Sequence, residues 1–92
     1  MNNNTVYLVS LITVDDIGYV DKSFKLFYDY DIALAYKETL INDYKTDVMK
    51  HNDCSWKEID RHIDVGVDTD KIWYAISHGI DVTIEITEMQ VY

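Results

Sequence analysis

The run that most constrains the fold is TVYLVSLITV, from Thr5 to Val14, which is almost entirely β-branched, aromatic and aliphatic. Such a composition is typical of a β-strand, in which alternate side chains point to opposite faces. The two sets of side chains are Val6, Leu8, Ile12 and Val14 on one face and Tyr7, Val9 and Leu11 on the other. Because both faces are apolar, the sequence predicts that this strand lies inside a sheet rather than at its rim.

A second strand is expected directly after a turn. The segment from Asp15 to Gly18 consists largely of turn-forming residues, and its glycine can adopt a positive φ. The next ten residues alternate, with Phe24, Leu26 and Tyr28 on one side and Lys25 and Phe27 on the other. The two strands and the turn between them therefore predict a β-hairpin.

A long helix is predicted to begin near Asp29 to Asp31, where an aspartate can cap free N–H groups, and to end at His51-Asn52-Asp53. Apolar residues recur within it at intervals of three or four: Ala33, Tyr36, Leu40, Ile41, Tyr44 and Val48. This spacing is typical of a helix with one buried face.

A second, short helix is predicted from the capping-box pattern of Ser55 and Glu58. Its inner face would carry Trp56, Ile59 and Ile63, and Gly66 would end it. We expect Trp56 and Trp73 to lie in the core.

Two further strands are expected in the C-terminal third. Lys71 to Ser77 alternates, with Ile72, Tyr74 and Ile76 on one face and Trp73 and Ala75 on the other. A helix over Lys71 to His78, capped by Asp70, is the alternative for this segment. The last strand, Asp81 to Tyr92, carries Val82, Ile84 and Ile86 in phase, whereas Met89 and Val91 are out of phase. That change of phase predicts a bulge or strand end near Thr87-Glu88.

The elements together predict an α+β fold in the order β-β-α-α-β-β. One long and one short helix would pack on one face of a four-stranded antiparallel sheet. A chain of 92 residues holds a single hydrophobic core, so residues 1–92 are expected to form one domain.

The charge restricts the classes of partner. Seventeen acidic residues against eight basic ones give a formal net charge of -9. Direct binding to nucleic acid or to an anionic membrane is therefore not expected, because phosphate contacts need a basic face. The single cysteine fits a reducing compartment, and no apolar run is long enough to cross a membrane, so we expect a cytoplasmic protein.

Metal, cofactor and catalytic sites find little support in the sequence. His51, Asp53 and Cys54 are neighbours, and His62 precedes Asp64, but neither group has the spacing of a zinc site. The aspartates near Gly66 lack the glycine position and the bidentate glutamate of a calcium loop. Cys54 could pair with His51 or His62 as a nucleophile and its base, but no known catalytic signature surrounds them. We expect no metal, no cofactor and no enzymatic activity.

The acidic residues themselves are the candidate interaction site. Asp43 and Asp47 stand four residues apart on the long helix. A second group places five acids in thirteen residues, answered by Arg61 alone: Glu58, Asp60, Asp64, Asp68 and Asp70. These residues either keep the protein soluble or form a contact surface that mimics nucleic-acid phosphates. Tyr19, Tyr30 and Tyr92 are candidate contact residues at turns or ends.

A resemblance supports the second interpretation. The chain has seven lysines and one arginine, eleven isoleucines, eight tyrosines and no proline, a usage expected of an A+T-rich gene. With its small size, its acidity and the segment FKLFYDYDIALAYKETLINDY, it resembles small phage-encoded inhibitors of bacterial defence, such as anti-CRISPR proteins and anti-restriction DNA mimics. That resemblance implies an inhibitor that binds a basic nucleic-acid-binding protein or ribonucleoprotein in the bacterial host.

Two other functions remain open at this stage. The first is a structural or accessory protein that forms a homodimer, because strands at both chain ends would expose edges that can pair across a two-fold axis. The second is an enzyme that depends on Cys54.

Overall fold

Residues 4–90, which the computed structural model describes, form five β-strands, one long α-helix and one short 3₁₀ helix. In chain order these are β1 (Thr5–Val14), β2 (Val20–Phe27), α1 (Tyr30–Asn52), the 3₁₀ helix (Trp56–Arg61), β3 (Asp64–Asp68), β4 (Ile72–Ser77) and β5 (Ile80–Gln90). The strands make one antiparallel sheet in the order β2-β1-β5-β4-β3. The α+β class is confirmed, but the expected four strands and the expected order β-β-α-α-β-β are wrong, because a fifth strand, β3, follows the short helix.

The strand from the opening run lies between two neighbours, as its two apolar faces predict. β1 pairs with β2 on one side and with β5 on the other. The strands nearest the two chain ends are therefore interior strands, and the edges are β2 and β3. The expectation that the terminal strands expose their edges is wrong.

The core fills the space between the sheet and α1, on what we call the helix face. Val9 of β1 stands opposite Ile86 of β5, and Trp73 of β4 stands opposite Ile84. The buried residues of this cluster are Val9, Ala33, Ile41, Val48, Ile59, Ile63, Trp73, Ala75, Val82, Ile84 and Ile86. One face of the sheet and one stripe of the helix thus supply most of the interior.

Helix α1 begins and ends as its sequence predicts. The Asp29 carboxylate accepts hydrogen bonds from the N–H groups of Asp31 and Ile32, at 2.8 and 3.2 Å. At the other end, Asp53 adopts a left-handed conformation with φ 48°. The predicted stripe faces the sheet, but Lys37, which the apolar spacing does not include, is also buried.

The segment after α1 differs from the sequence expectation. The short helix is a 3₁₀ helix that ends at Arg61, and Gly66 lies in β3, where the register shifts between Val65 and Val67. A Cβ atom at Gly66 would lie 3.0 Å from the Tyr74 ring, so a larger residue would push against that ring; the glycine allows close packing inside a strand and does not end a helix. Ile59 and Ile63 are buried as expected, but Trp56 is 53% exposed, so its assignment to the core is wrong.

The C-terminal strands settle two alternatives. Residues Ile72–Ser77 form β4, so the helical alternative for this segment is wrong. β5 keeps an unbroken register against β1 through Thr87, Glu88 and Met89, so the bulge expected there is also wrong. The predicted positions Val91 and Tyr92 lie outside the described residues.

Candidate interaction surfaces

The acidic residues in segment 58–70 follow the outer margin of the sheet. We call this group, Glu58, Asp60, Asp64, Asp68 and Asp70, the acidic edge. Glu58 and Asp60 lie on the 3₁₀ helix, Asp64 and Asp68 on β3, and Asp70 in the β3–β4 turn. All five are exposed, as is every residue of β3. The structure therefore displays this group along one outermost strand and the elements that flank it.

The bulge at Gly66 determines how the acidic edge is presented. Asp64 stands opposite Ile76, and Asp68 stands opposite Trp73, whose side chain faces the core. Because one extra residue is inserted between them, the two carboxylates point to opposite faces of the sheet. The edge is thus negatively charged on both sides.

The other two candidate residues, Asp43 and Asp47, lie on a different element. Both are exposed on α1, and Asp47 also lines a cleft beside the β4–β5 turn. The remaining ten acids are spread over β2, α1, β5 and the loops, but β1 and β4 carry none. Segment 58–70 is the densest group of acids along the chain.

Few cations neutralise these carboxylates. Across residues 4–90, the one ion pair joins Lys37 to Glu38, at 3.6 Å. Lys25 lies over the rings of Phe27 and Tyr36, 5.7 and 5.0 Å from their centroids. Lys45 lies 5.9 Å from the rings of both Trp56 and Trp73. These two lysines contact aromatic rings. No ion pair between described residues involves the acidic edge, so its negative charge stays available.

Glu58 has a structural role in addition to its charge. Its Oε1 accepts hydrogen bonds from the Ser55 N–H at 3.1 Å and from the Ser55 hydroxyl at 2.9 Å. These bonds lower the pKa of Glu58, with the backbone N–H as the larger cause. The predicted Ser55–Glu58 pairing is therefore present at the start of the 3₁₀ helix.

Of the tyrosines expected to be contact residues, one is exposed and another packs against the core. Tyr19 is 67% exposed, whereas Tyr30 is half-buried and meets Tyr7 edge-on, with 5.4 Å between the ring centroids. Tyr28, directly after β2, is 86% exposed.

A second surface, which the sequence analysis missed, is the sheet face opposite α1. We call it the open face; its apolar side chains are Val6, Leu8, Ile12, Val14, Val20, Phe24, Leu26, Val67, Ile72, Tyr74, Ile76 and Met89. Phe24 and Leu26 are 59% and 58% exposed. The two apolar faces of β1 already indicated such a surface, because one amphipathic helix can cover only one face of a sheet.

The three histidines of the chain lie near the β4–β5 turn: His62 contacts His78, and His51 and His78 line the same cleft. A cleft of about 280 Å³ is lined by Tyr44, Asp47, Val48, His51, Asn52, Ser77, His78 and Ile80. His62 Nδ1 lies 3.1 Å from His78 Nε2, and His51 Nδ1 lies 2.8 Å from the Asp47 carbonyl oxygen. A hydrogen bond between two imidazole rings needs one nitrogen to donate and the other to accept, so at least one ring of the pair is neutral.

The Tyr44 hydroxyl is the one buried side-chain polar atom without a hydrogen-bond partner in the described part of the chain. Burial raises the pKa of Tyr44, and the nearby Ser77 side chain offsets part of that rise, although the two hydroxyl groups do not meet the distance and angle of a hydrogen bond. Tyr44 also packs edge-on against Trp73, at 5.7 Å between centroids.

The structure does not form the groupings of histidine, aspartate and cysteine that were considered as metal or nucleophile sites. His62 is paired with His78 and not with Asp64, and Cys54 packs against the core beyond the end of α1. Among residues 4–90, no group of three or more His, Cys, Asp or Glu side chains is arranged to hold a metal ion. The helices within this range are too short or too polar to cross a membrane.

Comparison with protein-family models, with curated proteins and with solved structures finds no match.

Proposed function

We propose that the protein is a small non-catalytic binding protein that inhibits a host nuclease or CRISPR effector complex by occupying its basic nucleic-acid-binding groove. The observation that carries the proposal is the acidic edge, five exposed carboxylates displayed along the outermost strand and its flanking elements. Its place of action under this proposal is the cytoplasm of a bacterial host infected by a phage.

The electrostatics favour a basic partner. Arg61 is the single cation within segment 58–70, and neither it nor the five carboxylates take part in an ion pair between described residues. Unpaired surface carboxylates on ordered elements create a directed negative potential. A groove that normally binds phosphates has the opposite potential, so the two surfaces attract each other before contact.

The geometry supports mimicry of a nucleic-acid strand. Asp43 and Asp47 are one helical turn apart, which places their Cβ atoms about 6 Å from each other. Asp64 and Asp68 form a second pair on β3, one on each face of the sheet. Anions held on a rigid scaffold can occupy phosphate positions without the conformational cost that a flexible acidic tail would have.

The test is inhibition of DNA cleavage by a panel of CRISPR effector nucleases and restriction endonucleases from low-GC bacteria. The edge variant combines Asp60→Asn, Asp64→Asn, Asp68→Asn and Asp70→Asn. We expect it to need at least about tenfold more protein for half-inhibition, because removing the charges slows association. Glu58 is left intact because it holds the start of the 3₁₀ helix.

The matched control removes the same number of charges elsewhere. It combines Asp16→Asn, Asp21→Asn, Asp31→Asn and Glu88→Gln, all at exposed positions away from the acidic edge. Inhibition by the control should stay close to that of the unmodified protein. Equal losses in both variants would mean that only net charge matters, and an unchanged edge variant would exclude electrostatic mimicry.

A structural or accessory role through self-association is the second candidate. The observation that favours it is the open face, where Phe24 and Leu26 remain more than half exposed. Isolated exposed apolar residues are ordinary in proteins, but Val20, Phe24 and Leu26 are all exposed on the same side of β2, and a group of exposed apolar side chains is typical of an interaction site.

A further inference from the structure

β2 is the edge of the sheet that is open to a further strand. It pairs with β1 alone, spans Val20–Phe27 and keeps one unshifted register along its whole length. The other edge, β3, has five residues, two of them aspartates, and a bulge beside Gly66. Short length, charge and a bulge protect an edge strand from pairing, so β2 and not β3 is suited to accept another strand.

The hydrogen bonds of the β1–β2 hairpin determine which groups β2 presents at its edge. The Asp15 N–H donates to the Tyr19 carbonyl oxygen at 3.0 Å, one step beyond the paired residues Val14 and Val20. Because hydrogen-bonded positions alternate along an antiparallel pair, the odd-numbered residues of β2 bond to β1. The even-numbered residues therefore direct their N–H and carbonyl groups away from β1: Val20, Lys22, Phe24 and Leu26.

The same part of the chain carries exposed apolar side chains. Six large ones lie between positions 17 and 28: Ile17, Tyr19, Val20, Phe24, Leu26 and Tyr28. They lie on or next to a strand whose outer main-chain groups meet no other element of residues 4–90. Outward main-chain donors and acceptors combined with apolar side chains fit the addition of a β-strand, in which the main chain supplies the affinity and the side chains the specificity.

We infer that β2 pairs antiparallel with β2 of a second copy of this chain, across a two-fold axis perpendicular to the sheet at Ser23. Residues with outward main-chain groups must lie opposite one another, so even-numbered positions pair with even-numbered positions. With the axis at Ser23, Val20 lies opposite Leu26 of the other protomer, and Lys22 lies opposite the ring of Phe24. Each contact occurs twice, so about eight main-chain hydrogen bonds join the two copies.

The charges on the helix face of β2 select this register. Asp21 lies opposite Lys25 of the other protomer, and the two-fold axis repeats the contact, so two pairs of opposite charge form. Moving the axis to Lys22 would place the two copies of that lysine opposite each other. Moving it to Phe24 would leave both Asp21 and Lys25 without an oppositely charged neighbour across the interface. The axis at Ser23 is therefore the most complementary of the three.

The dimer has one continuous sheet of ten strands, five from each copy, with the two β3 strands at its outer margins. Both acidic edges stay free. An interface made by a single strand from each copy is small, so we expect reversible association, with a dissociation constant of roughly 10–100 μM. The inference gives a defined partner to the self-association candidate and is independent of the inhibitory function, so failure of one does not decide the other.

Sedimentation equilibrium of two charge variants, alone and mixed, tests the register. Asp21→Lys makes every charged pair basic, and Lys25→Glu makes every pair acidic, so either variant alone should dissociate at least about tenfold more readily than the unmodified protein. In an equimolar mixture each pair again joins an acid to a base, and a mixed dimer should form. Within one chain the two positions are about 13 Å apart along the strand, so the recovery would act between protomers.

The matched controls make the same changes of charge on α1. Asp43→Lys and Lys50→Glu, both at exposed positions, should leave the association nearly unchanged, alone or mixed. A strict monomer of the unmodified protein over about 5 μM to 1 mM would overturn the inference. So would a mixture of the two β2 variants that associates no better than either variant alone. Circular dichroism of each variant checks that the fold is retained.

A disulfide cross-link tests the axis without a change of charge. Ser23 would meet its own copy at a position without hydrogen bonds, where the two Cα atoms lie about 4.5 Å apart, within the range of a disulfide. With Cys54→Ser as the background, Ser23→Cys should give a covalent dimer in oxidised glutathione. Thr39→Cys, exposed on α1, should cross-link far more slowly. Equal rates at the two positions would show that the copies do not meet at Ser23.

Discussion

The ammonium group of Lys37 donates a hydrogen bond to the carbonyl oxygen of Thr69, with 3.1 Å between the two atoms. Lys37 is 1% exposed, and its second polar neighbour is the carboxylate of Glu38. The bond joins the first half of α1 to the β3–β4 turn and so fixes the end of the acidic edge against the helix. A buried ammonium group is tolerated only when such partners replace water.

Two replacements of Lys37 should separate the stability contributed by its buried aliphatic stem from the effect of its buried charge. Lys37→Ala removes the buried aliphatic stem and should lower the free energy of unfolding by about 2–4 kcal/mol. Lys37→Met keeps most of that stem and removes the buried charge, so its cost should be about 1 kcal/mol or less. Urea unfolding measures both values. If the two variants lose equal stability, the hydrogen bond to Thr69 outweighs the packing of the stem.

Tyr44→Phe should stabilise the protein. The Tyr44 hydroxyl is buried without a hydrogen-bond partner among residues 4–90, so its removal should raise the free energy of unfolding by about 1 kcal/mol. The folded-state pKa lies above the ordinary value of 10.0, so the unfolded state ionises first and stability falls as the pH rises past that value. The variant should lose less stability there. Tyr19→Phe, at an exposed position, is the control and should change neither quantity.

The parts of the fold that the sequence predicts are those in which local pattern and final environment agree. The run from Thr5 to Val14 is apolar on both faces, which places it inside a sheet in any arrangement. The stripe on α1 is likewise long enough to identify both the helix and its buried face. Each pattern extends over several turns or residue pairs, so a single exception such as Lys37 does not obscure it.

β3 could not be predicted in this way, because all five of its residues are exposed and two of its side chains are charged. It is a strand because β4 offers a row of hydrogen-bonding groups, which is a tertiary effect. Trp56 was misplaced because the expected α-helical phase does not apply to a 3₁₀ helix of six residues. The sequence shows how many acidic residues segment 58–70 contains. It does not show that they lie along an outer strand, because β3 itself was not predicted.

The stability contributed by Glu58 should depend on pH. Because the pKa of Glu58 is lowered in the folded state, its stabilising effect is present above the ordinary value of 4.5 and is lost as the pH falls through the folded-state pKa. Urea unfolding of the unmodified protein and of Glu58→Gln should therefore differ near pH 6, roughly, and converge in acid. Glu88→Gln on β5 is the control. A constant difference at all pH values would show that the charge of Glu58 has no part in the effect.

Salt should stabilise the isolated protein and weaken its binding to a basic partner. With a net charge of -9 and one ion pair among the described residues, repulsion between carboxylates is the main long-range interaction that salt can screen. Raising sodium chloride from about 20 to 500 mM should therefore increase the midpoint of urea unfolding, measured at about 1 μM protein so that self-association is negligible. The fourfold edge variant should respond less, because the densest group of like charges has been removed. A midpoint that falls with salt would mean that attractive pairs dominate, and the carboxylates of the acidic edge would then not be free to meet the cations of another protein.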